Sequence, residues 1–221
     1  MDTRNIIDMS AFLQDNRHPA IREVEGYWQA LRAGRLVPRR SEVDPRGIER
    51  ALEFAFILER IAPGLARMRI AGSHLSELMG MEVRGMPLSA FFTPDGRAIC
   101  GEVLEQVFDT PAVAELKLEA ERGMGKPAVE AKMLLLPLKS DLGDITRALG
   151  VLSTQGEIGR TPRRFDIMGQ RISKLLDDTV AAPKFPAAPL PGFAEPAPQF
   201  AAAPRPGERA YLRLVQDDDA E

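Results

Sequence analysis

The chain has 221 residues, 44% of them hydrophobic, with 29 basic and 32 acidic side chains and a formal charge of −3. That is apolar content for one ordinary domain with flanking segments, or for two very small ones, and there is no basic excess of the kind nucleic acids or anionic membranes select. One cysteine, Cys100, excludes an internal disulfide, and two distant histidines, His18 and His74, leave no metal-ligand spacing, so a reducing cytoplasm is the expected compartment.

Residues 1–18 form a mixed N-terminal extension whose acids sit where a signal peptide needs bases. From Pro19, the apolar residues Ile21, Val24, Trp28 and Leu31 recur at spacings of three, four and three with charges between them, which predicts an amphipathic helix over 19–33. Pro19 suits its first turn and Gly34 its end. With its polar connector this segment occupies 19–50.

A core region follows over 51–158. Leu52–Arg60 and Leu65–Gly72 read as a hairpin, since Ala66, Met68 and Ile70 alternate with Arg67 and Arg69. Short helical pieces are expected at Ser73–Met79, with Ser73 as cap, and at Pro87–Phe92. A longer helix, Asp95–Phe108, carries the stripe Ile99, Val103, Leu104, Val107 and Phe108. Three strands then follow at 112–122, 128–138 and 146–155. The run Met133–Leu138 is the longest apolar stretch, far short of the roughly 20 residues that span a bilayer. Two strands, helices, then three strands is an α+β order with an antiparallel sheet.

A basic C-terminal helix is expected within 159–180, at 163–176, with Phe165, Met168, Ile172 and Leu176 on one side. Its basic residues Arg160, Arg163, Arg164, Arg171 and Lys174 read either as a solvated face or as a grip for phosphates or acidic proteins. Residues 181–221 read as a disordered tail: Ala181–Pro206 holds 8 of the 18 prolines. Phe185, Phe193 and Phe200 are candidate docking motifs there, and Tyr211–Val215 a candidate short strand.

The order of elements, together with Met68-Arg69-Ile70-Ala71-Gly72-Ser73-His74-Leu75-Ser76-Glu77-Leu78-Met79-Gly80 continuing to Gly85 and Leu88, resembles the PAS pattern, in which the second strand runs into a short helix ending at glycine. Trp28 through Asp95 resembles the alphaproteobacterial single-PAS proteins long catalogued as a domain of unknown function. The likeness covers about residues 20–176. It implies a five-stranded antiparallel sheet in the order 2-1-5-4-3, helices on one face around a pocket, and a signalling role with no particular ligand.

The resemblance also bears on cofactors. Flavin-binding light sensors of this fold carry an Asn-Cys-Arg-Phe-like run in the short helices, where this chain reads Gly80-Met81-Glu82-Val83-Arg84-Gly85. Haem-binding members place a histidine on the long helix; Asp95–Phe108 has none, and Cys100 is the one soft ligand there. No haem, flavin or metal is therefore expected.

Two apolar sets are candidate sites. Met68, Ile70, Ile99, Val103, Leu116, Leu118, Ala131 and Met133 converge between sheet and long helix, either as a packed core or as a pocket for a small apolar or amphipathic molecule. Leu134, Leu136 and Leu138 fall on the opposite sheet face, where solvent would demand polar residues. They need a cover, supplied by the helix bearing Ile21, Val24, Trp28 and Leu31 alone or with a second chain. His74 reads as an exposed cap-region residue or as a titrating pocket contact.

No nucleophile elbow, phosphate loop or paired-carboxylate constellation appears, and no output region follows residue 176. The expectation is a stand-alone PAS sensory and docking module of bacterial signalling rather than an enzyme. It would contact a signalling protein through the outer sheet face and the N-terminal helix and form a homodimer, with a small-ligand sensor as the alternative.

Overall fold

The computed structural model describes residues 17–175. The expected tail, its three phenylalanines and the Tyr211–Val215 strand lie outside the described residues, as does most of the N-terminal extension.

The first helix, α1 (Pro19–Arg32), begins on proline as its spacing predicts. It ends one residue earlier than Gly34 suggests, because Ala33 adopts the left-handed conformation at φ 46° and closes the last turn onto Gln29. The connector leads into a 3-10 segment, Pro45–Phe54, capped by the Asp44 side chain, which accepts from the Arg46 N–H.

Strands β1 (Ala55–Ala62) and β2 (Leu65–Ala71) form the expected hairpin. Next come α2 (Ser73–Met79), a 3-10 turn at Leu88–Phe91 and α3 (Pro94–Asp109). Gly72, not Ser73, is the N-cap of α2, and it makes no side-chain cap. A Cβ at Gly72 would lie 2.1 Å from the Glu53 carbonyl, so only glycine lets the strand turn into the helix beside the 3-10 segment. The chain closes with β3 (Ala112–Ala120), β4 (Glu130–Leu138), β5 (Arg147–Gln155) and β6 (Phe165–Lys174).

These strands form one antiparallel sheet in the order β2-β1-β5-β4-β3-β6. The 2-1-5-4-3 order is thus present, with a sixth strand added beside β3 where the sequence predicts a basic helix. In β6 a register shift opposite Lys117 and Leu118 leaves Met168 as an extra residue. The bulge breaks the period-two alternation and lets Phe165, Met168 and Ile172 imitate a helical stripe.

The sheet is covered on both faces. On the inner face α2, the 3-10 turn and α3 enclose Phe56, Leu58, Met68, Leu104, Leu116 and Met133. On the outer face α1 and the 3-10 segment cover Leu134, Leu136, Leu138, Leu149 and Val151. That double cover explains why β4 is apolar on both sides. Pro137 fits within β4 because pairing to β3 ends at Leu135, so its missing N–H costs no ladder bond on that side.

Candidate functional site

The inner set forms a core. Met68, Val103, Leu116, Leu118, Ala131 and Met133 are all buried and belong to one cluster with Phe56, Phe91 and Phe92, while Ile99 is half-buried at its margin. Ile70 is not among them. The β1–β2 register steps from Ile57↔Ile70 to Leu58↔Met68, so Arg69 is an extra residue. One inserted residue turns the side chains beyond it to the other face. Ile70 therefore stands on the outer face beside Ile57, 52% exposed.

On that outer face Ile21, Val24, Trp28, Leu134, Leu136 and Leu138 bury one another almost completely. Trp28 Nε1 donates to the Pro137 carbonyl at 3.0 Å, fixing α1 across β4. The chain's own helix thus supplies the cover that these apolar residues require. Leu31 is half-buried and lies outside this cluster.

α1 leaves open the part of this face over β1 and β2, as well as its β3–β6 side around Lys117 and Met168. A groove of about 640 Å³ runs between the 3-10 segment and the hairpin, with Ile48, Leu52, Ile57, Ile70 and Leu149 in its lining. It adjoins a basin of about 290 Å³ that shares Arg40, Ile57 and Ile70 with it and adds Arg69, Arg84 and Arg147. Glu59 is the carboxylate at this place, accepting a hydrogen bond from Arg67 Nε at 2.9 Å and pairing with Arg147 at 2.7 Å and Arg69 at 3.4 Å. Its burial works toward a raised pKa, but the Arg67 hydrogen bond and the three guanidinium charges outweigh it and hold the carboxyl below its ordinary 4.5. Arg40 and Arg84 have no ion pair among the described residues. The site is thus apolar at one end and cationic at the other.

A family model for the PAS domain matches residues 16–153. The chain belongs to the PAS domain family. No curated protein matches it. Among solved structures, the light-state structure of the blue-light photoreceptor Aureochrome1 LOV is similar at 15% identity and a TM-score of 0.36, covering 51% of this chain and 88% of that one. An RNA-binding Light-Oxygen-Voltage receptor is similar at 17% identity and a TM-score of 0.36, over 52% of this chain and 35% of that one. By family it is a sensory module.

The remaining candidates in the PAS core are structural. His74 is buried rather than exposed. Its Nε2 lies 3.0 Å from Thr154 Oγ1 and its ring meets Phe54 edge-on at 4.9 Å. Burial lowers its pKa below the ordinary 6.5, against the raising influence of Glu77 and Glu53. Burial also pushes the Cys100 thiol up to about 12, so it offers no thiolate at neutral pH.

The five basic residues near the C-terminal strand do not make one face. Arg163 is fully buried and donates to the carbonyls of Ile158, Glu121 and Pro127, which ties the loops at that end together. Arg171 is exposed on β6, 3.9 Å from Glu115. Among the described residues no group of three or more His, Cys, Asp or Glu could hold a metal, and no helix is long and apolar enough to cross a membrane.

Sequence reasoning missed Arg40, Ile48, Leu52, Ile57, Arg84 and Arg147. They come from five separate places, the connector, the 3-10 segment, β1, the loop after α2 and β5, and only the strand order brings them together. The one local signal was Ile48 and Leu52, four apart in a segment read as mostly connector.

Proposed function

We propose that this PAS domain is a sensory module without catalytic activity, whose output is protein–protein contact with a separate signalling protein on the outer face of the sheet. The observation that carries this reading is the groove beside α1, where Leu52 and Ile70 stand 44% and 52% exposed above Ile57, next to a centre that α1 closes. Contiguous apolar surface of this kind marks interaction sites on small domains. The inner core is filled by aromatic and aliphatic side chains and offers no comparable exposed surface.

The test is site-specific photo-crosslinking in the full chain within its own host. A photoreactive amino acid at Leu52 is expected to yield one predominant protein adduct, suppressed by Ile70→Asp. The same probe at Met124, 92% exposed in the turn between β3 and β4, is expected to yield none. Equal labelling at both positions, or Leu52 adducts indifferent to Ile70→Asp, overturns the reading; an adduct with a second copy of the chain replaces the signalling partner by a homodimer.

A further inference from the structure

We propose that the segment docking in this groove is an amphipathic helix with carboxylates grouped at the end that lies over the arginine basin. The inference rests on the docking reading and adds the chemistry of the partner.

The groove cannot be filled by adding a strand at the middle of β2, because that edge is already in use. The Met68 N–H donates to the Met86 carbonyl at 2.9 Å, the Met68 carbonyl accepts from the Gly85 N–H at 2.7 Å, and Arg67 bridges to Pro87. A partner must therefore be read by its side chains, as in helix-in-groove recognition, where apolar residues three and four apart enter a hydrophobic trough. Ile48, Leu52, Ile57 and Ile70 supply that trough.

Charge sets the direction of the helix. Glu49 and Glu53 line the apolar groove, whereas Arg69, Arg84 and Arg147 line only the adjoining basin. Arg67, Arg69 and Arg147 share the single carboxylate of Glu59, and Arg40 and Arg84 have no ionic partner among the described residues. The excess of guanidinium over carboxylate calls for anionic groups, and guanidinium is the group best matched to a carboxylate by its paired donors. Acidic residues in the first turn of a helix also complement the helix dipole, so the partner helix enters the basin by its N-terminus.

The experiment measures fluorescence anisotropy of synthetic peptides against the full chain. The probe is a helix-forming peptide with leucines three and four apart and glutamates in its first turn; its counterpart carries lysines in place of the glutamates, and sodium dodecanoate serves as a non-peptide amphiphile. The acidic peptide is expected to bind saturably at one site. Ile70→Asp and Arg84→Glu, both at exposed positions, are each expected to weaken it by about tenfold or more, as like-charge contact and loss of apolar burial both do. With Arg84→Glu the lysine peptide is expected to bind better than it does to the unaltered chain.

Equal affinity for the two peptides, no saturable binding of the acidic one, or one-site binding of dodecanoate in place of the peptide overturns the proposal. The two readings fail separately. If the Leu52 crosslink in the host disappears with Ile70→Asp but persists with Arg84→Glu, docking stands and the acidic helix does not.

Discussion

His74 joins three parts of the molecule: it sits in the first turn of α2, hydrogen-bonds Thr154 of β5 and packs on Phe54 at the end of the 3-10 segment. Glu77 at 3.8 Å and Glu53 favour its protonated form, yet burial prevails and its pKa lies below 6.5. The unfolded chain therefore takes up this proton more readily than the folded one. Its contribution to stability is fully present above about pH 6.5 and is lost as the pH falls through the lower folded value. Thermal melts between pH 7 and 5 are expected to show a steeper loss for the unaltered chain than for His74→Gln, which keeps a neutral hydrogen-bonding group. Parallel slopes would mean that the folded state accommodates the imidazolium as well as water does.

At the scale of elements, α1 is held to the sheet by apolar area and by the hydrogen bond of Trp28, and Trp28 separates the two. Trp28→Phe removes the donor to the Pro137 carbonyl while keeping most of the ring, at a cost of about 1 kcal/mol. Trp28→Ala empties a fully buried site and is expected to cost about 3–5 kcal/mol. Chemical denaturation distinguishes them; similar losses would show that the hydrogen bond dominates. The helix itself was legible in the sequence, since Ile21, Val24 and Trp28 keep a strict helical spacing and all three are buried. So was the apolar outer face of β4, because Leu134, Leu136 and Leu138 defied the alternation of a solvated sheet. What escaped was wherever one residue too many enters a strand. Arg69 turned Ile70 out of the expected pocket, and Met168 hid β6 behind a helical period. A bulge is fixed by the partner strand's register, which no local pattern contains. The groove escaped for a related reason, since Arg40, Leu52, Ile70, Arg84 and Arg147 meet only after β1 is placed between β2 and β5.

For the molecule as a whole, the two faces of the sheet make opposite demands, and the outer face itself is divided. Its centre over β4 and β5 behaves as a second core, with Leu136 fully buried under α1, while its margin over β1 and β2 remains open at Ile70. A carboxylate at Leu136 would lie in apolar surroundings with no partner, a situation that costs several kcal/mol and commonly prevents folding. The same carboxylate at Ile70 stays in water near Arg69 and Arg84, so the change in stability should fall within about 0.5 kcal/mol. Urea titration of Leu136→Glu and Ile70→Glu is therefore expected to give a large loss for the first and almost none for the second. If Leu136→Glu proved as stable as the unaltered chain, α1 would have to leave the sheet readily in solution. The central leucines would then be free to meet a partner, and the docking surface would extend from the β1–β2 groove across the whole outer face.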